Sequence, residues 1–97
     1  MNFFTDTIEF DWDEGNRDKN LIKHQVTNEE CEEVFFDPRK RLLRASFPKH
    51  EERHLLIGKT LRKRALFVVF TVRKNKVRVI SARDLGRKDR RLYEKES

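Results

Sequence analysis

The alternation of apolar and polar residues predicts two neighbouring strands as the centre of the fold. Residues 65–72 carry no charge and are rich in β-branched and aromatic types, as in a strand buried on both faces, although a buried helical turn has the same pattern. A polar break at residues 73–76 is short enough for a hairpin. Residues 77–82 then alternate, which predicts an antiparallel partner strand. Its two predicted faces carry Val77, Val79 and Ser81 on one side and Arg78, Ile80 and Ala82 on the other.

The first 38 residues predict one strand and two helices. Apolar residues at positions 8, 10 and 12 alternate with acidic ones, which is the pattern of a half-buried strand. Asp13 is a candidate N-cap for a first helix over residues 14–24. Thr27 and Glu30 form a capping box that begins a second helix, and Asp37-Pro38 ends it.

Two further strands and a last helix complete the predicted order. Residues 41–47 and 54–59 read as strands, and a helix begins near Gly86. We expect this helix to dock lightly, because Tyr93 is one of only two large apolar residues in it. The order β-α-α-β-β-β-β-α predicts one small α+β domain over residues 1–97, with a mostly antiparallel sheet, two N-terminal helices and one C-terminal helix.

The charge of the chain is divided between its two parts. Residues 1–38 contain 3 Lys/Arg and 11 Asp/Glu, a net charge of −8, whereas residues 39–97 contain 20 and 6, a net charge of +14. This segregation indicates that the basic part meets a polyanion such as nucleic acid, while the acidic part shields it or meets a basic partner. Alternatively, the fold interleaves the two parts and no patch survives.

Cysteine usage and hydropathy bear on the compartment. Cys31 is the only cysteine, which excludes an internal disulfide and fits a reducing cytosol. The first 20 residues are acidic rather than signal-like, and no apolar stretch is long enough for a membrane helix. The sequence therefore predicts a cytoplasmic protein with no membrane partner.

One segment matches a metal motif. Residues 50–54, His-Glu-Glu-Arg-His, fit the zinc-protease pattern, in which a helix sets two histidines one turn apart. Here Pro48 precedes the segment and a strand pattern follows it, and residues four apart on a strand are separated by roughly 13 Å. No later histidine is present as a third ligand. We therefore predict no metal site and no cofactor.

A series of short motifs runs through almost the whole chain. They are Phe10-Asp11-Trp12-Asp13, Asn20-Leu21-Ile22-Lys23-His24, Glu-Glu-Val-Phe at residues 32–35, Glu52-Arg53, Gly58, Val79-Ile80-Ser81-Ala82-Arg83 and a basic tail to Tyr93-Glu94. In this order they resemble the BrnT-type toxins of bacterial type II toxin–antitoxin systems. The chain departs from that pattern at Gln25, Gly86 and Asp89, which concern helix ends, and the loop over residues 48–51 is short for the family.

The resemblance implies a RelE-like fold and a metal-independent ribonuclease that cuts RNA, inhibits translation and slows growth. It also implies a cognate antitoxin of the ribbon-helix-helix type, which blocks the toxin and represses their shared operon. Operator DNA would then be reached only through the antitoxin complex. The alternative is a non-catalytic basic binding module, acting as co-repressor in that complex or as an RNA-binding protein.

Four residues are candidates for the chemistry. Metal-free RNA cleavage needs a proton acceptor, a proton donor and cations around the developing phosphorane. Arg53 and Arg83 are the candidate cations, since guanidinium pairs with phosphate oxygens, and the alternative is a structural ion pair with Glu52 or Asp84. Glu52 is a candidate base or an orienting group. His24 is a candidate acid or base, or else a hydrogen-bonded residue at a helix end.

The remaining candidates would bind RNA. They are Lys23, Arg64, Arg78, Arg87, Lys88, Arg90, Arg91 and Tyr93. The four cations of the last helix are dense enough to call for an anion, either RNA backbone or an acidic stretch of the antitoxin, although a solvated surface helix has the same composition. Tyr93 would stack on a base or, alternatively, pack the helix against the sheet.

Overall fold

The predicted strand pair lies at the centre of a four-stranded antiparallel sheet. The computed structural model describes residues 8–45 and 53–94. Its elements are α1 (Lys19–His24), α2 (Asn28–Val34), β1 (Arg41–Ala45), β2 (Arg53–Lys59), β3 (Ala65–Arg73), β4 (Lys76–Asp84) and α3 (Arg87–Glu94). The strands are ordered β1-β2-β3-β4. The α+β class, the two N-terminal helices and the C-terminal helix are therefore confirmed. Residues 46–47, the end of the strand predicted over residues 41–47, lie outside the described residues.

Each face of the sheet is covered by different helices. The face that we call the α1/α2 face carries Leu56, Val68, Phe70 and Val79, which pack with buried residues of α2. On the opposite face, the α3 face, Ile57 and Ala65 pack with Leu85 and Tyr93. Cross-strand neighbours share a face, so the register of the strands assigns the other residues of the sheet to one side or the other.

The β3–β4 hairpin is confirmed, but β4 does not alternate as predicted. Phe70 pairs with Val79, whereas Val69 pairs with Ser81, so Ile80 is an extra residue opposite the partner strand. Such a β-bulge shifts the alternation of every residue after it. Ala82 is consequently buried on the α1/α2 face with Val79, and the prediction that Ser81 would share that face with Val79 while Ala82 lay opposite is wrong.

The N-terminal segment is less regular than the sequence indicated. Among residues 8–13, only Phe10 forms a bridge to β4, a parallel one with Val77, although residues 8, 10 and 12 pack half-buried against the core. Residues 14–18 form turns, and α1 begins at Lys19 rather than at residue 14. Gly15 and Asn16 are poor helix formers, and the Asn16 side chain is used elsewhere, since its Nδ2 donates to the backbone oxygens of Asp11 and β4.

Two buried asparagines protect the outer edge of β4. Asn16 Nδ2 donates to the backbone oxygen of Val79 at 3.2 Å, and Asn20 Oδ1 accepts from the backbone N–H of Ala82 at 2.9 Å. Both side chains are almost fully buried. They satisfy backbone groups that an edge strand would otherwise leave open, and they fix α1 against β4.

The second helix follows its sequence signals closely. The Thr27 hydroxyl accepts from the Glu30 N–H at 3.0 Å, and the Glu30 carboxylate accepts from the Thr27 N–H at 3.0 Å, which is the predicted capping box. The end of α2 packs tightly on β2 at Gly58, where a Cβ atom would lie only 3.1 Å from the Val34 backbone oxygen. Absence of a side chain at Gly58 therefore permits this close approach.

The C-terminal helix is fixed at its far end by a buried tyrosine. The Tyr93 hydroxyl donates to Asp37 Oδ2 at 2.7 Å, and the same oxygen accepts from the backbone N–H of Lys59 at 2.7 Å. Burial, and then the Asp37 carboxylate, raise the pKa of Tyr93 to about 12. For Asp37 itself, burial favours a higher pKa, but the hydrogen bonds from Tyr93 and from backbone N–H groups outweigh it and lower the pKa.

Candidate functional site

The end of β4 carries an arginine that lies on the α3 face. Arg83 pairs with Phe67 of β3, and its guanidinium carbon lies 4.5 Å from the centre of the Phe67 ring. Its Nη1 donates to the Asp84 backbone oxygen, and its Nη2 lies 3.7 Å from Asp89 Oδ2. The side chain is 43% exposed. The aromatic ring thus supports the guanidinium from one side, while a large part of it stays accessible to a ligand.

The bulge in β4 determines this position. If β4 alternated regularly through Ile80 and Ser81, Arg83 would share the α1/α2 face with Val79. With the bulge, Arg83 shares the α3 face with Phe67, and its neighbour Asp84 shares the opposite face with Leu66. Arg83 and Asp84 therefore deliver a cation and a carboxylate to opposite faces of the same sheet end.

Arg64, immediately before β3, is a structural clamp rather than an open cation. Its Nε donates to Asp84 Oδ1 at 2.7 Å, and its Nη1 donates to both carboxylate oxygens of Glu30, at 3.1 and 3.2 Å. Nη1 and Nη2 also donate to the backbone oxygens of Gln25 and His24, at 2.8 and 3.3 Å. One side chain thus joins the end of α1, the start of α2, β3 and β4.

The pKa values of the two carboxylates around Arg64 are lowered, as expected for groups that are paired with a cation. The hydrogen bonds from Arg64 lower the pKa of Asp84 below its ordinary value, and the positive charge of His24 adds to the effect. Burial tends to raise the pKa of Glu30, but the Thr27 backbone and Arg64 lower it overall. The same contacts raise the pKa of Arg64, so this cluster remains ionised at neutral pH.

His24 and Lys23 lie at the C-terminal end of α1, and both are exposed. The backbone oxygen of His24 is held by Arg64, and the imidazole is close enough to Asp84 to influence its pKa. The structure therefore brings His24 to the same end of β4 as Arg83, but on the side of Asp84 rather than on the α3 face. Both interpretations of His24, a helix-end residue and a proton-transfer group, are compatible with this position.

Arg53 and Arg83 are separated along the sheet. Both lie on the α3 face, but Arg53 precedes His54, which pairs with Phe70, whereas Arg83 pairs with Phe67. The two arginines are thus four residues apart along the strand direction, roughly 13 Å, and two strands apart across it. They do not form one compact pair around a single phosphate. Glu52 lies outside the described residues.

Arg78 is held by the N-terminal segment. Its Nη1 donates to Asp13 Oδ2 at 2.7 Å, its Nη2 donates to Asp13 Oδ1 at 3.1 Å, and Asp11 lies 3.6 Å away. The hydrogen bonds from Arg78 lower the pKa of Asp13. Like Arg64, Arg78 forms ion pairs with carboxylates of the same chain. Both arginines were predicted to bind RNA from their charge alone.

The four cations of α3 differ from these clamps. Arg87, Lys88, Arg90 and Arg91 are all exposed, and three of them, Arg87, Lys88 and Arg91, line a shallow concavity. Tyr93 lies on the opposite, packed side of the helix, as the packing interpretation of this residue expects. The helix therefore presents a basic surface beside Arg83.

Phe67 and Asp89 belong to this site although sequence patterns did not single them out for it. Phe67 is part of an uncharged strand, where each aromatic residue predicts only burial. Asp89 contacts Arg83 from the first turn of α3, whereas the sequence suggested a helix-capping role. Knowledge of the bulge would have pointed to Phe67, because the bulge decides which residue Arg83 faces.

His54 is the histidine of the metal motif that falls within the described residues. It lies on β2 and stacks on Phe70, with ring centroids 5.2 Å apart, as the strand interpretation predicted. Across residues 8–45 and 53–94, no group of three or more His, Cys, Asp or Glu side chains is arranged to hold a metal ion. In the same residues, no helix has the length and apolar character needed to span a membrane.

A comparison with protein families matches most of the chain. The family model described as the ribonuclease toxin BrnT of type II toxin–antitoxin systems matches residues 12–89, which include α1, α2, the whole sheet and the start of α3. No curated protein matches the chain.

Proposed function

Because the chain belongs to the BrnT family of ribonuclease toxins of type II toxin–antitoxin systems, we propose that it cleaves RNA on the α3 face at the end of β4. In this proposal Arg83 contacts the scissile phosphate. The observation that carries it is the stacked, half-exposed guanidinium of Arg83 beside the basic surface of α3.

Arg83 suits this role because its charge is held in place without being neutralised closely. Its nearest carboxylate contact is the one to Asp89 at 3.7 Å, whereas Arg64 and Arg78 each have a carboxylate oxygen at 2.7 Å. An incoming phosphate can therefore displace Asp89 at small cost and accept two hydrogen bonds from the planar guanidinium. Negative charge that develops in the transition state is then stabilised by a preorganised cation.

The proton transfers are assigned to His24, near the sheet end that carries Arg83, and to Glu52, which precedes Arg53 at the start of β2. His24, at the end of α1, takes or returns a proton. Glu52 is the second candidate for the base, and Arg53 beside it contacts a neighbouring phosphate rather than the scissile one. These cations fulfil the electrostatic role that a metal ion has in other nucleases, so the proposed reaction is metal-independent.

The exposed cations of α3 extend the RNA contact. Arg87, Lys88 and Arg91 form one surface with Arg90 next to it, and Lys23 lies exposed on α1. Backbone phosphates neutralise such a surface with little regard to sequence, and binding weakens as salt rises. We also propose that the cleavage inhibits translation in the cytoplasm, and that the antitoxin is of the ribbon-helix-helix type.

The first experiment uses purified antitoxin-free protein and ribosome-free RNA in excess EDTA, at low and at moderate salt. Cut ends that persist under chelation are expected. RNA that is bound but uncut, both alone and on translating ribosomes, would contradict the proposed chemistry and favour the non-catalytic binding module. Cutting only on translating ribosomes would retain the ribonuclease and show that it needs the ribosome.

The second experiment compares two arginine variants. Arg83→Ala should lower the cleavage rate about 100-fold to 1,000-fold, as loss of a transition-state cation does, with the melting temperature unchanged. Arg17→Ala removes an exposed arginine from the turn before α1 and should leave the rate within about twofold. If the two variants cleave alike, Arg83 does not contact the phosphate.

A further inference from the structure

A groove lies at the end of the sheet, beside α3 but away from Arg83. It has a volume of about 470 Å³ and is bounded by the end of α2, the turn between β2 and β3, and the end of α3. Phe36, Pro38, Leu61 and Tyr93 provide its apolar surface. The proposed ribonuclease chemistry uses none of the first three of these residues.

Two large apolar side chains protrude at this groove. Leu61 is 81% exposed and Phe36 is 62% exposed, which places both among the most exposed large apolar residues of the described chain. Single exposed apolar residues need no explanation, but two that flank one groove form a patch of the kind that partners bind. Such side chains serve as anchors when they are buried at the centre of an interface.

The backbone that carries Leu61 is held in place. Its N–H donates to Glu33 Oε1 at 2.9 Å, which fastens the turn to α2. Within the turn, the Thr60 N–H donates to the Arg64 backbone oxygen at 2.9 Å, and the Arg64 N–H donates to the Thr60 hydroxyl at 3.1 Å. Leu61 is thus presented by a closed turn, so little ordering entropy is lost when a partner covers it.

The rim of the groove presents positive charge to a ligand. Arg39, Lys59 and Lys63 line it, and Arg62 follows Leu61 in the same turn. Its two carboxylates, by contrast, are already engaged. Glu33 accepts from the Leu61 N–H, and Asp37 accepts from Tyr93 and two backbone N–H groups. A segment that combines apolar anchors with carboxylates therefore complements this groove better than a basic or neutral one.

We propose that this groove is a docking site for an acidic, amphipathic segment of the cognate antitoxin, with apolar side chains seated between Phe36 and Leu61. The proposal rests on the membership in a type II toxin family, which implies an antitoxin partner. It adds where on the toxin that partner is anchored and which chemistry it presents.

The position of the groove connects docking to inhibition. Tyr93 lines the groove and belongs to α3, whose other side carries Arg87, Lys88 and Arg91. A segment anchored at Phe36 and Leu61 lies against this helix, so the rest of the antitoxin is brought next to the surface proposed to bind RNA. Carboxylates of the anchored antitoxin then compete with phosphate for Arg87, Lys88 and Arg91, because anchoring raises their effective concentration at this surface.

The test measures the affinity of full-length toxin for the full-length antitoxin encoded beside it. Leu61→Ser and Phe36→Ser should each raise the dissociation constant at least tenfold, while antitoxin-free RNA cleavage stays within about twofold of wild type. The matched control is Ile22→Ser, because Ile22 on α1 is 82% exposed, as Leu61 is, but lies outside the groove. This control should bind the antitoxin as wild type does.

A second variant tests the charge of the rim. Lys63→Glu should weaken the complex and make its affinity less sensitive to salt, since one attractive pair is lost. Wild-type affinity in both serine variants would overturn the docking site. Equal weakening by Ile22→Ser would do the same, because the effect would not be specific to the groove.

Other occupants give other results. If Leu61→Ser changes the oligomeric state of the toxin alone and not antitoxin affinity, the groove binds a second copy of this chain and the proposal fails. If it lowers RNA binding instead, the groove belongs to the RNA surface and the proposal also fails. Because affinity for the antitoxin is measured without RNA, a failure of the ribonuclease proposal would be seen separately.

Discussion

Arg64 and Arg83 lie at the same end of the sheet and are used in opposite ways. Arg64 is 28% exposed and its three nitrogens donate to two carboxylates and two backbone oxygens. Arg83 is 43% exposed, rests on the Phe67 ring, and has a carboxylate only at 3.7 Å. A saturated arginine holds elements together, whereas a stacked and loosely paired one can still accept an anion.

This difference divides the large positive charge of the chain into two parts. Arg78, with Asp13 at 2.7 Å, belongs with Arg64 on the structural side. Arg83 and the exposed cations of α3 remain for a polyanion. Part of the acidic N-terminal segment thus neutralises selected cations, and net charge alone overstates the number of cations available to a polyanion.

Replacing Arg64 should have the largest effect on stability. Arg64→Ala leaves Glu30 and Asp84 without their cation, so we expect a loss of about 2–3 kcal/mol in the free energy of unfolding, less than for a fully buried pair. The single tryptophan, Trp12, allows urea unfolding to be followed by fluorescence. Arg62→Ala, an exposed arginine of the same turn, should change the stability by less than about 0.5 kcal/mol. Equal losses in the two variants would show that Arg64 does not stabilise the fold more than an exposed arginine does.

Replacing the ring under Arg83 should have an intermediate effect, and on activity. Phe67→Leu keeps an apolar side chain but removes the π face, so the guanidinium loses its support and we expect about tenfold slower RNA cleavage. Phe67→Tyr keeps the ring and should retain most of the rate. Undiminished cleavage by Phe67→Leu would show that stacking does not position Arg83.

The smallest effect concerns the tyrosine that fixes α3. Tyr93→Phe removes the hydrogen bond to Asp37 and should lower the free energy of unfolding by about 1 kcal/mol. Because the pKa of Tyr93 is raised to about 12 from an ordinary value of 10.0, this contribution is fully present below pH 10. It is lost as the pH rises through about 12.

The titration of Tyr93 can be measured directly. Tyr93 is the only tyrosine, so ultraviolet absorbance of tyrosinate reports this residue alone. Ionisation at the ordinary value of 10.0 in the folded protein would show that Asp37 does not hold the hydroxyl. Tyr93→Phe should also abolish the alkaline step in stability.

The parts of the fold that the sequence predicted correctly depend on near neighbours. The capping box joins Thr27 and Glu30 within one helical turn, and the hairpin closes through two residues, Lys74 and Asn75, with φ of 52° and 66°. Such a two-residue turn with positive φ matches the twist of a hairpin. Local chemistry was sufficient in both cases.

The parts that could not be predicted depend on distant partners. Arg64 contacts Glu30 and Asp84, which are 34 and 20 residues away, so its sequence neighbourhood gave no sign that it was already paired. Asn20 reaches Ala82 across 62 residues in the same way. The motif residues that identified the family therefore include several that hold the fold, and sequence alone did not separate them from those proposed for chemistry.

The extra residue in β4 has a consequence that resembles an insertion in a reading frame. Before Ile80 the strand places its odd-numbered residues on the α1/α2 face, and after it the even-numbered ones. Deletion of Ile80 would restore one frame throughout and leave Arg83 opposite Phe67, whereas regular pairing of every residue without a bulge would turn Arg83 toward α1 and α2. The side on which this toxin presents its arginine thus depends on where the strand accommodates its extra residue as well as on which residues it contains.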